Sequence, residues 1–357
     1  MVRKLQVGVS GLGRMGARHA LHFLERTPRA ELVAAFDPDP KAVAWAQQRL
    51  TPYGTKIYTD FEEFLKHPGL EAVVVAGITT QHAAQTIRAI ESEKHVLCEK
   101  PLSTSLAICE HVLRVARTKP HLKVLCGFSR RFDASYRDAA TRIQNGDIGR
   151  PSILRSQTCD KHRNDDYFVQ YAKFSGGIFV DANIHDIDLA LWYFGQDSVV
   201  KSITAVGINA RLSDLKKYGD VDNGIAIVEF YGNKIAYFYS SRMMAAGQTD
   251  TTEIIGTHGK IVVNGNPQNN LVELHEGSGI RREVPQTYYD RFEHAFVTES
   301  NEFTEAVLDD KALPFGLQGA IQAVRIGDAM TKSLRTGWKI EFNEIGEEVE
   351  EEVKARL

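Results

Sequence analysis

Residues 4–16, Lys-Leu-Gln-Val-Gly-Val-Ser-Gly-Leu-Gly-Arg-Met-Gly, constrain this chain more than any other stretch. A short apolar strand runs into a glycine-rich turn, and the helical pattern Ala17, Ala20, Leu21, Leu24 opens directly behind it. That order gives the G-x-G-x-x-G spacing its meaning. Gly11 permits the tight turn, Gly13 lets the backbone approach a pyrophosphate, and Gly16 lets the helix pack on the strand, so that a diphosphate meets the positive end of the helix. A second strand, Ala30 to Phe36, ends in Asp37, about twenty residues beyond Gly16, where an acidic side chain grips an adenosine ribose 2′-hydroxyl. The reading is a dinucleotide site lined by Gly11, Leu12, Gly13, Arg14, Met15, Gly16 and Asp37. A carboxylate accepts from a 2′-hydroxyl and repels a 2′-phosphate, so Asp37 favours NAD over NADP, while Arg14 and Arg18 nearby temper that preference.

At 357 residues the chain exceeds one hydrophobic core of typical size, so two domains are expected. Its 43 basic and 46 acidic residues nearly balance, and no basic cluster is long enough to follow a phosphate backbone, which argues against nucleic acid as a partner. No apolar run approaches the roughly 20 residues that span a bilayer, and the N-terminus lacks the apolar core of a signal peptide; a soluble, cytoplasmic protein without a membrane partner is expected. Cys98, Cys109, Cys126 and Cys159 are scattered with no C-x-x-C pair and read as buried small hydrophobes in a reducing compartment, with no metal site. The acidic run Glu347 to Glu352 reads as a solvated tail. The closing Ala355-Arg356-Leu357 loosely matches a peroxisomal address, an alternative localisation.

Along the chain, helical and strand patterns alternate as far as Gly127. A helix from about Asp39 to Leu50 precedes a short strand at Lys56 to Tyr58, and Asp60 caps the helix Phe61 to Lys66. The apolar run Ala72 to Ala76 is a strand of the kind buried on both faces of a parallel sheet. A loop, Gly77 to His82, leads to a helix at Ala83 to Ser92 and the strand Lys94 to Cys98. Because ligands sit beyond the carboxyl ends of such strands, Thr79, His82, Glu99 and Lys100 join the cofactor site. A helix at about Thr104 to Thr118 and the strand Leu122 to Gly127 complete roughly six strands, giving a Rossmann domain over 1–127.

Beyond Gly127 lie a helix at Ala134 to Asn145, a strand at Ile153 to Cys159, an irregular polar stretch and a helix holding Asp181 to Phe194. Strands follow at Val199 to Ala210, Gly224 to Tyr231, Lys234 to Arg242, Thr252 to Ile255, Lys260 to Val263 and Leu271 to His275. The short turns between several of them imply antiparallel pairing. Helices at Phe292 to Leu308 and Leu317 to Arg335 close a second, α/β domain over 128–345, and 346–357 form the tail.

Three clusters carry chemistry. Lys100 follows a strand and precedes Pro101, so its ammonium can stabilise negative charge on a substrate oxygen beside a nicotinamide; a plain surface lysine is the alternative. If the helix begins at about Asp181, then Asp181, His185 and Asp188 share one face, beside an apolar stripe of Ile184, Ile187 and Leu191. Histidine accepts a proton at neutral pH and a carboxylate can orient it. The same pattern also suits a cap followed by a solvated face, or a metal site. In Gly127-Phe128-Ser129-Arg130-Arg131, the arginines suit either cofactor phosphate and substrate hydroxyls or an interdomain ion pair.

Together, Gly11-x-Gly13-x-x-Gly16, Glu99-Lys100-Pro101, Gly127-Phe128-x-Arg130-Arg131 and Gly176-Gly177-x-x-x-Asp181-x-x-x-His185 resemble the glucose-fructose oxidoreductase, inositol dehydrogenase and rhizopine-catabolism (Gfo/Idh/MocA) superfamily over nearly the whole chain. Cys98-Glu99-Lys100-Pro101-Leu102, Arg130-Arg131-Phe132-Asp133 and Asp290-Arg291-Phe292 look most like its inositol 2-dehydrogenases. The resemblance implies a Rossmann domain followed by an α/β domain with a large, mostly antiparallel, open-faced sheet through which homodimers and homotetramers form. It implies His185 as the base for the hydroxyl proton, Lys100 on the same oxygen and Asp181 positioning Lys100 and the substrate, with Arg130, Asp160, Asp181 and His185 around a polyol or sugar. The segment Cys159 to Asn164 departs from the substrate loop of the bacterial inositol enzymes, and Ser129 replaces a residue that is often larger, so the choice of polyol stays open. The expected activity is NAD-dependent oxidation of a secondary ring hydroxyl of a cyclitol or sugar. An aldose 1-dehydrogenase or dihydrodiol-type dehydrogenase, or a nucleotide-binding transcriptional regulator on the same fold, are the alternatives.

Overall fold

The computed structural model describes residues 3–349. The chain divides into two compact units: the chain up to Asp133 together with Glu293–Val324, and Ala134–Phe292 together with the chain from Arg325 on.

In the first unit strands and helices alternate: β1 (Leu5–Ser10), α1 (Gly16–Glu25), β2 (Ala30–Phe36), α2 (Pro40–Arg49), β3 (Lys56–Tyr58), α3 (Phe61–Leu65), β4 (Ala72–Val75), α4 (Thr79–Glu91), β5 (His95–Glu99), α5 (Leu106–Thr118) and β6 (Val124–Gly127). The strands form one parallel sheet in the order β3-β2-β1-β4-β5-β6. The order reverses between β1 and β4, so the crevice beyond their carboxyl ends is the place for a ligand. Every residue of β4 is fully buried, and each valine covered in this way contributes about 1.5–3 kcal/mol. Asp39 and Asp60 cap α2 and α3, accepting from Lys41 N at 2.7 Å and Glu63 N at 2.9 Å. The segment expected as a loop up to His82 is helical from Thr79. Ile78 is extended (φ −72°, ψ 144°) and the chain turns into α4 right after it.

The second unit holds α6 (Ala134–Gln144), β7 (Pro151–Lys161), α7 (Tyr167–Ser175), α8 (Ile178–Asp181), α9 (Ile184–Phe194), β8 (Val200–Ile208), β9 (Asn223–Phe230), β10 (Lys234–Met244), β11 (Thr252–Gly256), β12 (Lys260–Val263), β13 (Glu273–Glu276) and β14 (Gly279–Arg282); α10 (Tyr288–Leu308), α11 (Leu317–Thr336) and β15 (Ile340–Glu341) close the described chain. The large sheet runs β12-β11-β7-β10-β9-β8-β15. It is antiparallel except at β7 and β10. Those two are far apart in sequence, so no short turn dictates their relative direction, and the strands joined by short turns pair antiparallel as expected. Ile153, Val206, Ile208, Ile227, Ile235 and Val262 are exposed, and the strand registers place them on one outer face of the sheet.

Several local expectations change. The polar stretch after β7 contains α7. The helix expected from Asp181 is two pieces, α8 and α9, with Ala182 and Asn183 between them. β13 does not join the large sheet but forms a hairpin with β14. A single boundary at Gly127 misses Glu293–Val324, which returns to the first unit: the Phe296 ring meets His19 edge-on at 5.8 Å, and Arg29 pairs with Asp309 at 2.6 Å. The acidic run begins exposed, as expected, but hydrogen-bonded: Val349 N donates to Glu341 O at 2.8 Å and Glu348 pairs with Lys332. Residues 350–357, with Ala355-Arg356-Leu357, lie outside the described residues. Among the described residues no helix is long and apolar enough to cross a membrane, and the four cysteines are buried free thiols.

Candidate active site

In the first unit the glycine turn is built as its spacing requires. Gly11 has φ +84°, and a Cβ there would lie 2.3 Å from Gly77 Cα; a Cβ on Gly16 would lie 1.7 Å from Gly11 O. A Cβ on Gly13 would meet nothing within 4 Å, so the fold by itself does not require glycine there. No side chain caps α1, whose N-cap is Met15; Ala17 N donates back to Gly13 O at 3.0 Å, and the positive end of the helix dipole lies at this turn. Leu12 is buried, while Gly13 and Arg14 are exposed at the tip of the turn.

Asp37 is nearly buried, and its carboxylate is tied to the turn: Oδ2 accepts from Leu12 N at 2.6 Å and Oδ1 from Asp39 N at 2.8 Å. Each oxygen keeps a lone pair for a ribose hydroxyl. Asp37 therefore shapes the glycine turn as well as facing a ligand, which its position in the sequence does not reveal.

Thr79 opens α4 at the end of β4. His82 is buried, with Nδ1 2.8 Å from Pro101 O and Nε2 3.1 Å from Gly77 O. Burial pushes its pKa down, and a neutral ring carries one N–H, so it donates to one of these carbonyls and ties the two ligand-edge loops together. Glu99 is buried at the end of β5, accepting from His19 Nε2 at 2.8 Å and from Lys100 N at 3.2 Å. Despite burial, His19 holds its carboxyl below the usual carboxylate range. Lys100 is half-buried and precedes a cis bond to Pro101. Arg130 is buried in a 3-10 turn after β6, and Arg131 lies 4.7 Å over the Phe315 ring.

In the second unit Asp181 is the last residue of α8 and His185 lies in the first turn of α9. The break between them ends the i, i+4, i+7 face expected from Asp181. Gly177 has φ +88°, and Asp220 caps α8, accepting from Ile178 N at 2.8 Å. The same carboxylate accepts from Arg242 Nη1 at 2.8 Å, both side chains being 2 % exposed. Burial works against the Arg242 charge, but Asp220, Asp181 and Asp160 together hold it protonated. Tyr171 OH reaches Asp181 Oδ1 at 3.5 Å. Asp160 is half-buried near the end of β7.

α9 is buried at every position but Trp192, which removes the solvated-face alternative. Asp186 locks it to the sheet: Oδ1 accepts from Ser156 Oγ at 2.6 Å, and Oδ2 from Thr158 Oγ1 at 2.6 Å and Asn183 Nδ2 at 2.8 Å. Asn183 also donates to Tyr239 O, which fixes the turn between α8 and α9. The His185 ring stacks on Tyr288, centroids 4.8 Å apart at 22°. Tyr288 and Asp186 are the residues that sequence reasoning misses. A signal for the first existed: Thr287-Tyr288-Tyr289-Asp290 is a capping box, with Asp290 N donating to Thr287 Oγ1 at 3.2 Å and Thr287 N to Asp290 Oδ2 at 3.0 Å. It starts α10 four residues before the expected Phe292.

The first unit thus holds the glycine turn tied to Asp37, and the second holds the buried His185 stacked on Tyr288 beside Asp186.

A model of an oxidoreductase family with an NAD-binding Rossmann fold, GFO_IDH_MocA, matches residues 5–128, and a GFO/IDH/MocA C-terminal domain model matches residues 136–262. The chain is 31% identical over 349 residues to scyllo-inositol 2-dehydrogenase (NAD(+)) of Bacillus subtilis (strain 168), covering 96% of this chain and 98% of that protein. It is 28% identical over 341 residues to myo-inositol 2-dehydrogenase of Thermotoga maritima, covering 96% and 99%. The crystal structure of scyllo-inositol dehydrogenase from Lactobacillus casei with bound NAD(H) and scyllo-inositol is similar with a TM-score of 0.90, at 30% identity, over 95% of this chain and 99% of that one.

Proposed function

We propose that this chain, which belongs to the GFO/IDH/MocA oxidoreductase family, is an NAD-dependent dehydrogenase that oxidises a secondary ring hydroxyl of a cyclitol of the inositol kind to a ketone. The observation that carries this reading is His185, a buried imidazole stacked on Tyr288 in a helix that Asp186 locks in place. A histidine held so firmly suits proton transfer better than packing.

The residues of the first unit fit NAD: an uncapped helix start and an open Gly13 for the diphosphate, and Asp37 for the ribose. When bound, NAD supplies the hydride acceptor. His185 takes the hydroxyl proton; its Nδ1 is buried, which leaves Nε2 for that task. Lys100 donates to the same oxygen and stabilises charge developing on it, and Asp181 orients the substrate and the lysine. Arg130 and Asp160 bind further hydroxyls.

The active form is a homodimer or homotetramer built on the outer sheet face that exposes Val206, Ile208 and Ile227. Four buried free thiols support a cytoplasmic location.

Steady-state NADH formation over scyllo-inositol, myo-inositol and aldopyranoses, with NAD and with NADP, tests the reading. Cyclitol turnover with NAD is expected. Turnover of aldoses alone, or of nothing, would overturn it.

A further inference from the structure

Glu299 lies in α10, within the first unit, and is 0% exposed. Both its carboxyl oxygens are buried without a hydrogen-bond partner among the described residues. Such a group in a native interior needs a reason, because an ionised carboxylate with nothing to accept from is very costly to bury. Its surroundings supply one. Gly127 on β6 pairs in register with Glu99 on β5, and a Cβ on Gly127 would lie 3.5 Å from Glu299 Oε1 and 3.6 Å from Glu99 Cα. Glu299 therefore stands behind the strand end that carries Glu99 and Lys100. One turn earlier in α10, Phe296 packs on His19, the ring that holds Glu99.

We propose that Glu299 is a positioning residue that keeps its carboxyl proton and, as a neutral group behind Gly127, keeps Glu99 seated on His19 and on the Lys100 amide. Burial first, and the Glu99 charge second, hold the Glu299 carboxyl protonated well above the usual carboxylate range. The other charged and titratable groups of this cluster are Glu99 at the end of β5 and Lys100 just beyond it, His19, His22 and Arg18 on α1 with Arg26 at its C-cap, and His82 on α4. Glu99 and His22 have lowered pKa values, so what they contribute to stability is lost as pH falls. Glu299 has a raised one, so its contribution is present at low pH and is lost as pH rises through the raised folded value. Ionisation would set two unscreened like charges side by side and drive Glu99 from its partners. The functional part of this proposal rests on Lys100 acting at the reacting oxygen.

The test is thermal unfolding of the apo full-length protein, wild type and Glu299→Gln, from about pH 6 to about pH 10, alongside kcat/KM for cyclitol oxidation over the same range. Wild type should lose Tm with rising pH relative to Glu299→Gln. Its alkaline loss of kcat/KM, up to about tenfold per pH unit, should move to higher pH in the variant. Parallel unfolding curves would overturn the protonated carboxyl. Divergent curves with superimposable rate profiles would overturn the positioning role. If Glu299→Gln does not fold, Glu299→Met, of similar volume and no charge, serves in the same two measurements. Wild-type kinetics in Lys100→Met would refute the catalytic reading of Lys100 and with it the functional half of the proposal, whereas the unfolding curves, which need no substrate, judge the proton by themselves.

Discussion

His22, buried on α1 beside His19, shows how a single side chain writes the pH dependence of the fold. Burial, with the neighbouring His19, Arg26 and Arg18, pushes its pKa down to about 3. A histidine folded neutral and unfolded at about 6.5 costs stability as pH drops through that interval, with a slope approaching 1.4 kcal/mol per pH unit, about one proton's worth. His22→Leu should therefore flatten the loss of urea stability between about pH 6.5 and about pH 4, and an unchanged slope would show that His22 does not bear the load. Asp37 illustrates the limit of reading a residue from its position. The end of β2 marks it as the ribose partner, but its bond to Leu12 N makes it part of the turn itself. Asp37→Ser is accordingly expected to narrow the preference for NAD over NADP and also to weaken both cofactors, which titration of each against the apo protein will measure. Asp186 was illegible for a related reason: its three partners come from β7 and from the turn before α9, and nothing local in the sequence announces them.

At the scale of the element, the glycine turn and α1 separate what the fold needs from what the ligand needs. A methyl on Gly16 collides with Gly11 O, while one on Gly13 has open space. Gly16→Ala should lower Tm and abolish NAD binding; Gly13→Ala should keep Tm within about 2 °C and lose NAD affinity selectively. Equal effects in calorimetry and in binding would deny the distinction. This turn could be read in the sequence because its glycine spacing lies within thirteen residues, whereas the press of Gly77 on Gly11 and the bond from Leu12 N to Asp37 could not. The α8–α9 break could not, since Asp220, Arg242 and Tyr239, which fix its two ends, come from other elements of the second unit. The start of α10 stood between these cases: its capping box is local and readable, yet the aromatic pair inside it masked the signal.

For the molecule as a whole, alternation of strand and helix up to Gly127 sufficed to specify the parallel sheet, and strand runs with short turns specified most of the second. Chain excursions escaped, notably the return of Glu293–Val324 to the first unit and the parallel pairing of β7 with β10, because both depend on contacts between segments more than seventy residues apart. The proposed assembly uses the apolar outer face of the large sheet. Ile227→Glu, placed at its centre, should convert the oligomer to a folded monomer in sedimentation velocity, and an unshifted boundary would exclude this face as the interface. The proposed reaction is hydride transfer from a ring carbon to NAD with His185 taking the proton. It is tested most directly by supplying inositol deuterated at the ring carbons and analysing the reduced nicotinamide by mass spectrometry, for wild type and for His185→Ala. The expected result is one deuterium per nicotinamide formed by wild type, and the same product at a rate on the order of 10²- to 10⁴-fold lower in His185→Ala, with NAD affinity little changed. Unlabelled or absent NADH in wild type, or a His185→Ala rate within a few-fold of wild type, would contradict it.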